Sequence, residues 1–137
     1  MLKIEAGDPE GLAISASAFA AFTQAVGPLA VVDLETTGLP DHADAELLEF
    51  GAVCFEPDRH EVTTAQTLIR PSGPLPLLIR RLTGISDDDV RDAPAVADVR
   101  AEITELLLGR VLIAHNANFE RTFLVRCVDP VFADSVF

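Results

Sequence analysis

The sequence predicts an α/β or α+β domain built on a mixed sheet. Three observations predict it. Strand-like segments at residues 29–34, 47–55 and 61–70 follow one another with turn residues between them, as in a meander. Residues 12–26 and 95–108 instead place apolar side chains at helical spacing. A further short apolar run, residues 111–114, follows the second of these helices, so the chain regains the sheet after a helical crossover.

Each element has its own signal. In residues 12–26, Leu12, Phe19, Phe22 and Val26 fall on one face, which predicts packing on a core, and Gly27-Pro28 stops the helix. Residues 1–11 before it read as a loose start. Leu29-Ala30-Val31-Val32-Asp33-Leu34 is the kind of run that is buried on both faces. Thr37-Gly38-Leu39-Pro40 is turn chemistry, and an acidic loop, residues 41–46, follows. Glu56-Pro57-Asp58-Arg59 connects the second and third strands as a hairpin. A short helix is expected over residues 76–82, ending near Gly84. Ser86 caps the acidic turn Asp87-Asp88-Asp89. Val96, Val99, Ile103, Leu106 and Leu107 share a face of the helix that ends at Gly109. Asn116 or Asn118 caps a last helix, which runs to about Cys127.

Composition bounds the function. A length of 137 residues fits one domain, and 49% apolar with 23% charged residues excludes a disordered tail or a fibre. Cys54 and Cys127 sit in apolar stretches and read as reduced thiols of a cytoplasmic protein. The net charge of −12 excludes nucleic-acid binding through a broad basic face. It leaves open a site where carboxylates hold cations and the cations hold a phosphate. Residues 11–32 carry no charge, but Gly27-Pro28 interrupts them. The flank before them (Glu5, Asp8, Glu10) is acidic where a signal peptide is basic. No membrane segment is expected.

The chemistry concentrates at two strand exits. Asp33 and Glu35 end the first apolar strand, and residues i and i+2 of a strand face the same side. Two carboxylates so placed repel each other, and a hard cation such as Mg²⁺ or Mn²⁺ removes that cost. The run at residues 111–114 leads into His115-Asn116-Ala117-Asn118-Phe119-Glu120. Glu120 lies near a helix start, where the dipole favours a carboxylate. If the two strands are neighbours, three carboxylates surround one place, as in two-metal phosphoryl transfer.

Val31-Val32-Asp33-Leu34-Glu35-Thr36-Thr37-Gly38-Leu39 resembles the first motif of the DEDD (DnaQ-like) 3′–5′ exonucleases. That family includes the proofreading subunit of bacterial DNA polymerase III, ribonuclease T and exonuclease domains joined to helicases. Leu82-Thr83-Gly84-Ile85 with Asp92-Ala93-Pro94 is also similar to it, and Ala114-His115-Asn116-Ala117-Asn118-Phe119-Glu120 resembles its second motif. The resemblance implies a ribonuclease H-like mixed sheet of order 3-2-1-4-5, flanked by helices. It implies an exonuclease-like domain over residues 29–137, after an N-terminal extension and helix at 1–28. Asp33, Glu35 and Glu120 would be catalytic and would hold two Mg²⁺ or Mn²⁺ ions. Thr36, Thr37, Gly38, Leu39, Asn116 and Phe119 would bind substrate, with Leu39 and Phe119 against terminal bases. The implied partners are a single-stranded DNA or RNA 3′ end and a polymerase or helicase part of a larger chain or complex.

Two departures stand against the family pattern. Relatives have Asp where this chain has Glu120, and nothing after Glu120 matches the third motif, which supplies a general base and a last Asp. Asp134-Ser135 resembles the fifth-strand Asp-Thr pair, at a short spacing from Leu124. The exonuclease domain therefore reads as C-terminally incomplete, with impaired activity, since general-base catalysis is typically worth about 10²–10⁴-fold. The alternative is a degenerate exonuclease fold that binds nucleic acid or a partner without cutting. The remaining polar residues have plainer readings. His115 frames a turn. His42 and His60, the acidic turn at Asp87, and Asp41, Asp44, Glu46 and Glu49 read as solvated, Glu49 with a secondary claim on the site. Phe50 and Phe55 read as core.

Overall fold

The computed structural model describes residues 3–7, 16–57, 59 and 62–137. Asp8, Glu10, Leu12, Asp58, His60 and Glu61 lie outside those residues, as does the side chain of Phe19. In chain order come β1 (Lys3–Gly7), α1 (Ala16–Val26), β2 (Leu29–Thr36), β3 (Leu47–Phe55) and β4 (Val62–Leu68). Then follow α2 (Leu77–Thr83), α3 (Asp87–Val90), α4 (Val96–Leu107), β5 (Val111–Ile113) and α5 (Ala117–Phe123). A π-turn (Leu124–Val128) extends α5, and a 3₁₀ turn (Pro130–Asp134) comes after it.

The strands form one sheet in the order β1-β4-β3-β2-β5. The four strands expected from the sequence thus lie as 3-2-1-4. The meander pairs antiparallel and β5 runs parallel to β2. The α4 crossover is what makes the parallel pair possible. Beyond β5, the Leu112 amide donates to the Val136 carbonyl at 2.8 Å, so the chain begins to pair there. Asp134 itself ends the 3₁₀ turn and is not in a strand.

Two expectations need correction. The loose start is, over Lys3–Gly7, an antiparallel partner for the free edge of β4, from Lys3↔Gln66 to Gly7↔Val62. Lys-Ile-Glu-Ala-Gly carries no apolar run; backbone pairing makes it a strand, and pairing leaves no local pattern. The second correction concerns α1. Phe22 and Val26 are 49% and 39% exposed, whereas Thr23 is buried. The Thr23 hydroxyl donates to the Ala20 carbonyl at 3.0 Å, which satisfies it inside the helix and lowers the cost of burying it.

The main core lies on one face of the sheet. Ala30, Val32 and Leu34 of β2 and Phe50, Ala52 and Cys54 of β3 pack against Val99, Ile103 and Leu107 of α4 and Phe123 of α5. Gly84 (φ +76°) and Gly109 (φ +78°) end α2 and α4 in the left-handed region, where a β-carbon would be strained. A bulge shifts the register between Glu35 and Thr36, so Leu48 of β3 has no partner on β2. That extra residue lets Leu47 enter the main core while Leu48 joins Leu75, Ile85 and Val90 in a second cluster beneath α2 and α3.

Candidate active site

The run at residues 29–34 is not buried on both faces as expected: beyond Leu29, β2 alternates, with Val31 39% exposed and Asp33 exposed. Ala30, Val32, Leu34 and Thr36 are buried on the core face, and Val31, Asp33 and Glu35 project from the other. Across the sheet from Asp33 stands Gly51, and beyond it Gln66. With no side chain at position 51, the sheet has an open depression of about 450 Å³ lined by Val31, Asp33, Gly51, Val53, Thr64 and Gln66. Asp33 is on its rim.

α5 brings the third carboxylate. Asn116 is the cap residue: its carbonyl accepts from the amides of Phe119 (2.8 Å) and Glu120 (3.2 Å). Its side-chain oxygen accepts from the Phe119 amide at 3.4 Å. The first turn then aims Glu120 inward against β2. Glu120 is only 4% exposed, and its Oε2 has no hydrogen-bond partner. Burial pushes its pKa up. Hydrogen bonds from its own amide and that of Asn116 and the field of His115 pull it down, and the charge of Asp33 pushes it up further. Glu35 is also raised, first by burial, then by Asp33, then by Glu49. Asp33 is thus common to both couplings. Among the described residues no three His, Cys, Asp or Glu side chains converge on one ion-sized point.

Glu49 lies directly across from Glu35 and accepts from Gln66 Nε2 at 2.6 Å. Its secondary claim on the site is a matter of position, since it adds a like charge beside Glu35.

The turn after Glu35 is locked internally. Thr36 is buried and its hydroxyl donates to the Gly38 carbonyl at 2.7 Å. The Thr37 amide donates to the Glu46 carbonyl, and the Thr37 hydroxyl accepts from the Glu46 amide at 2.8 Å. A β-carbon on Gly38 would lie 3.1 Å from His42 Nδ1 and 3.3 Å from Ala45 Cβ, so a larger residue there would push His42 and Ala45 aside by a few tenths of an ångström. Leu39, at the tip, is 59% exposed. Phe119 is half-buried, its ring 4.9 Å from that of Phe123 and tilted by 50° to it. His115 is exposed at the turn before α5.

Glu46 corrects its reading as a solvated edge. Its carboxylate accepts from the amide (2.7 Å) and hydroxyl (3.0 Å) of Ser72, tying the turn to the β4–α2 connection. Asp87 similarly accepts from the Leu75 amide at 2.7 Å. Their partners lie 26 and 12 residues away, which a local sequence pattern does not show. Arg126 was not singled out from the sequence. Its guanidinium donates to the carbonyls of Pro40, His42 and Ala45 and stacks 4.5 Å from the Phe123 ring.

The Exonuclease (RNase T) family model matches residues 30–129. Over 98 residues the chain is 41% identical to the PolC-type DNA polymerase III of Caldanaerobacter subterraneus subsp. tengcongensis, covering 72% of this chain and 7% of that protein. It is 35% identical to the DNA polymerase III epsilon subunit of Treponema pallidum, covering 67% of this chain and 42% of that one. Among solved structures it is similar to exonuclease X in complex with 5′ overhanging duplex DNA. That match has a TM-score of 0.57 and 27% identity, and covers 69% of this chain and 52% of that chain. The chain thus spans less than half the length of these two curated relatives. No helix among the described residues is long and apolar enough to cross a membrane.

Proposed function

Because the chain belongs to the exonuclease family, we propose that it carries the carboxylate site of a metal-dependent 3′–5′ exonuclease. The substrate is a single-stranded DNA or RNA 3′ end, and the reaction is phosphodiester hydrolysis. One observation supports this most: Glu120 is buried with a partnerless carboxylate oxygen, in the field of Asp33. A buried carboxylate oxygen without a donor is costly, and a divalent cation is the partner that fits an acceptor-only, all-carboxylate donor set. Asp33, Glu35 and Glu120 would hold Mg²⁺ or Mn²⁺. When bound, the cations supply charge neutralisation and Lewis-acid polarisation of the phosphodiester.

The chain's own residues do the rest. The charge of Asp33 acts on both Glu35 and Glu120. Glu120 in place of Asp has one more methylene, and its inward aim from the first turn of α5 uses that reach. Leu39 and Phe119 offer apolar surfaces on which a terminal base packs without sequence preference. The hydrogen-bonded turn from Thr36 to Glu46 shapes the loop that carries Leu39. We assign residues 29–137 to the catalytic unit and 1–28 to an extension. A polymerase or helicase partner and a cytoplasmic setting belong to the same reading, and the naming of the relatives as polymerases and exonucleases favours it over a non-cutting module.

The test is degradation of a 5′-labelled single-stranded oligonucleotide with Mn²⁺ or Mg²⁺. Shortening from the 3′ end that falls at least about a hundredfold in Asp33→Ala, with folding unchanged, is the expected result. Shortening that is independent of metal, or unchanged in Asp33→Ala, contradicts the proposal.

A further inference from the structure

Two surfaces assigned above to the terminal nucleotide stand on different elements. Leu39 is on the loop after β2 and Phe119 is on α5. One side chain bridges these elements. Phe119, Phe123 and Arg126 are spaced i, i+4 and i+7, one face of a helix. The Phe119 and Phe123 rings lie 4.9 Å apart, tilted by 50°, and the Arg126 guanidinium lies 4.5 Å from the Phe123 ring. The same guanidinium donates to Ala45 O (2.9 Å), His42 O (3.2 Å) and Pro40 O (3.3 Å). The π-turn at Leu124–Val128, closed by the Asp129 amide on the Leu124 carbonyl at 2.9 Å, is where Arg126 leaves the helix toward that loop.

We propose that Arg126 is a positioning residue that sets the separation of Leu39 from Phe119, and through it the fit of the 3′-terminal nucleotide. This inference rests on the exonuclease reading. The other ties hold the loop to itself or to the β4–α2 connection: His42 N to Leu39 O at 3.0 Å, Ala45 N to His42 O at 3.1 Å, the Thr37–Glu46 pair, and Ser72 on the Glu46 carboxylate. These shape the loop but do not fix it to α5. His42 is exposed and Pro40 half-buried, so their carbonyls take water when Arg126 is removed, whereas Ala45 is buried and its carbonyl loses a partner. The larger consequence is for the position of the loop relative to α5. Lysine carries the charge but lacks the planar fork that reaches three carbonyls while stacking on a ring.

The experiment uses the 137-residue chain, its Arg126→Met and Arg126→Lys variants, and a 5′-fluorescent oligothymidylate with Mn²⁺. Kd is read by anisotropy, and KM and kcat from loss of 3′ nucleotides. Arg126→Met is expected to raise Kd and KM about tenfold with kcat within about twofold. Its melting temperature should stay within about 4 °C of wild type, and Arg126→Lys should recover part of the affinity. Unchanged Kd and KM in Arg126→Met, or a fall in kcat alone, overturns the inference while the exonuclease reading stands. A wild-type chain that neither binds nor shortens the oligonucleotide overturns both.

Discussion

The two faces of the sheet are made by the same strands and could hardly differ more. On one, Ala30, Val32, Leu34, Phe50 and Ala52 are each at most 5% exposed beneath α4 and α5. On the other, Val31 and Ile113 are each 39% exposed, Asp33 is exposed, and Gly51 leaves a depression beside it. From Ala30 to Thr36, successive residues of β2 alternate between these environments, so this stretch contributes to stability with its even-numbered residues and to the site with its odd-numbered ones. Carboxylates tolerate the open face because water reaches it. Glu120 is the exception: it reaches the site from α5, and its burial leaves it charged at a cost.

The largest expected effect is on the covered face. Phe123→Ala should lower unfolding free energy by about 3–5 kcal/mol in urea denaturation, since a buried ring leaves a cavity. Asp33→Asn on the open face should cost less than about 1 kcal/mol, because it removes a like charge from Glu35 and Glu120. If Asp33→Asn destabilises as much as Phe123→Ala, the distinction between the faces fails.

A second prediction follows from the raised pKa values of Glu35 and Glu120. In the folded chain each holds its proton more tightly than when unfolded. Their contribution to stability is therefore complete below the ordinary glutamate pKa and is lost as pH rises through the raised values. Glu120→Gln should flatten that loss, and near neutral pH it should melt higher than wild type without metal. A melting temperature below wild type across pH 4–8 would contradict the sign. The smallest effect is at the depression. A β-carbon on Gly51 meets nothing nearer than the Asp33 carbonyl oxygen at 3.7 Å. Gly51→Ala should raise stability by about 0.5 kcal/mol, the usual gain over glycine in a strand, and a loss would mean the floor is tighter than described.

Much of this was legible in the sequence because it is local. The existence of β2, a cap at Asn116 or Asn118, and the i, i+2 placement of Asp33 and Glu35 are all short-range patterns, whereas the opening of one face of β2 depends on what packs over it. The pairing of β2 with β5, which brings Glu120 near, followed from two apolar strands each exiting into polar motifs. What was not legible depends on distant partners. Lys3–Gly7 is a strand only because β4 offers an edge. Glu46 is a clamp only because Ser72 meets it, and Arg126 a tether only because the loop 81–86 positions earlier in sequence turns its carbonyls toward it. The α1 face misled for a related reason. Helical spacing shows that a face exists, not which side the tertiary structure covers.

The measurement that tests the central claim most directly is Mn²⁺ binding to the whole chain, followed by the electron paramagnetic resonance of free Mn²⁺ at pH 7.5. Wild type should take up Mn²⁺ and melt higher with it, whereas Asp33→Asn and Glu120→Gln should each bind at least about tenfold more weakly. Equal uptake by wild type and both variants would contradict the account, because the cation would then sit elsewhere than among these carboxylates.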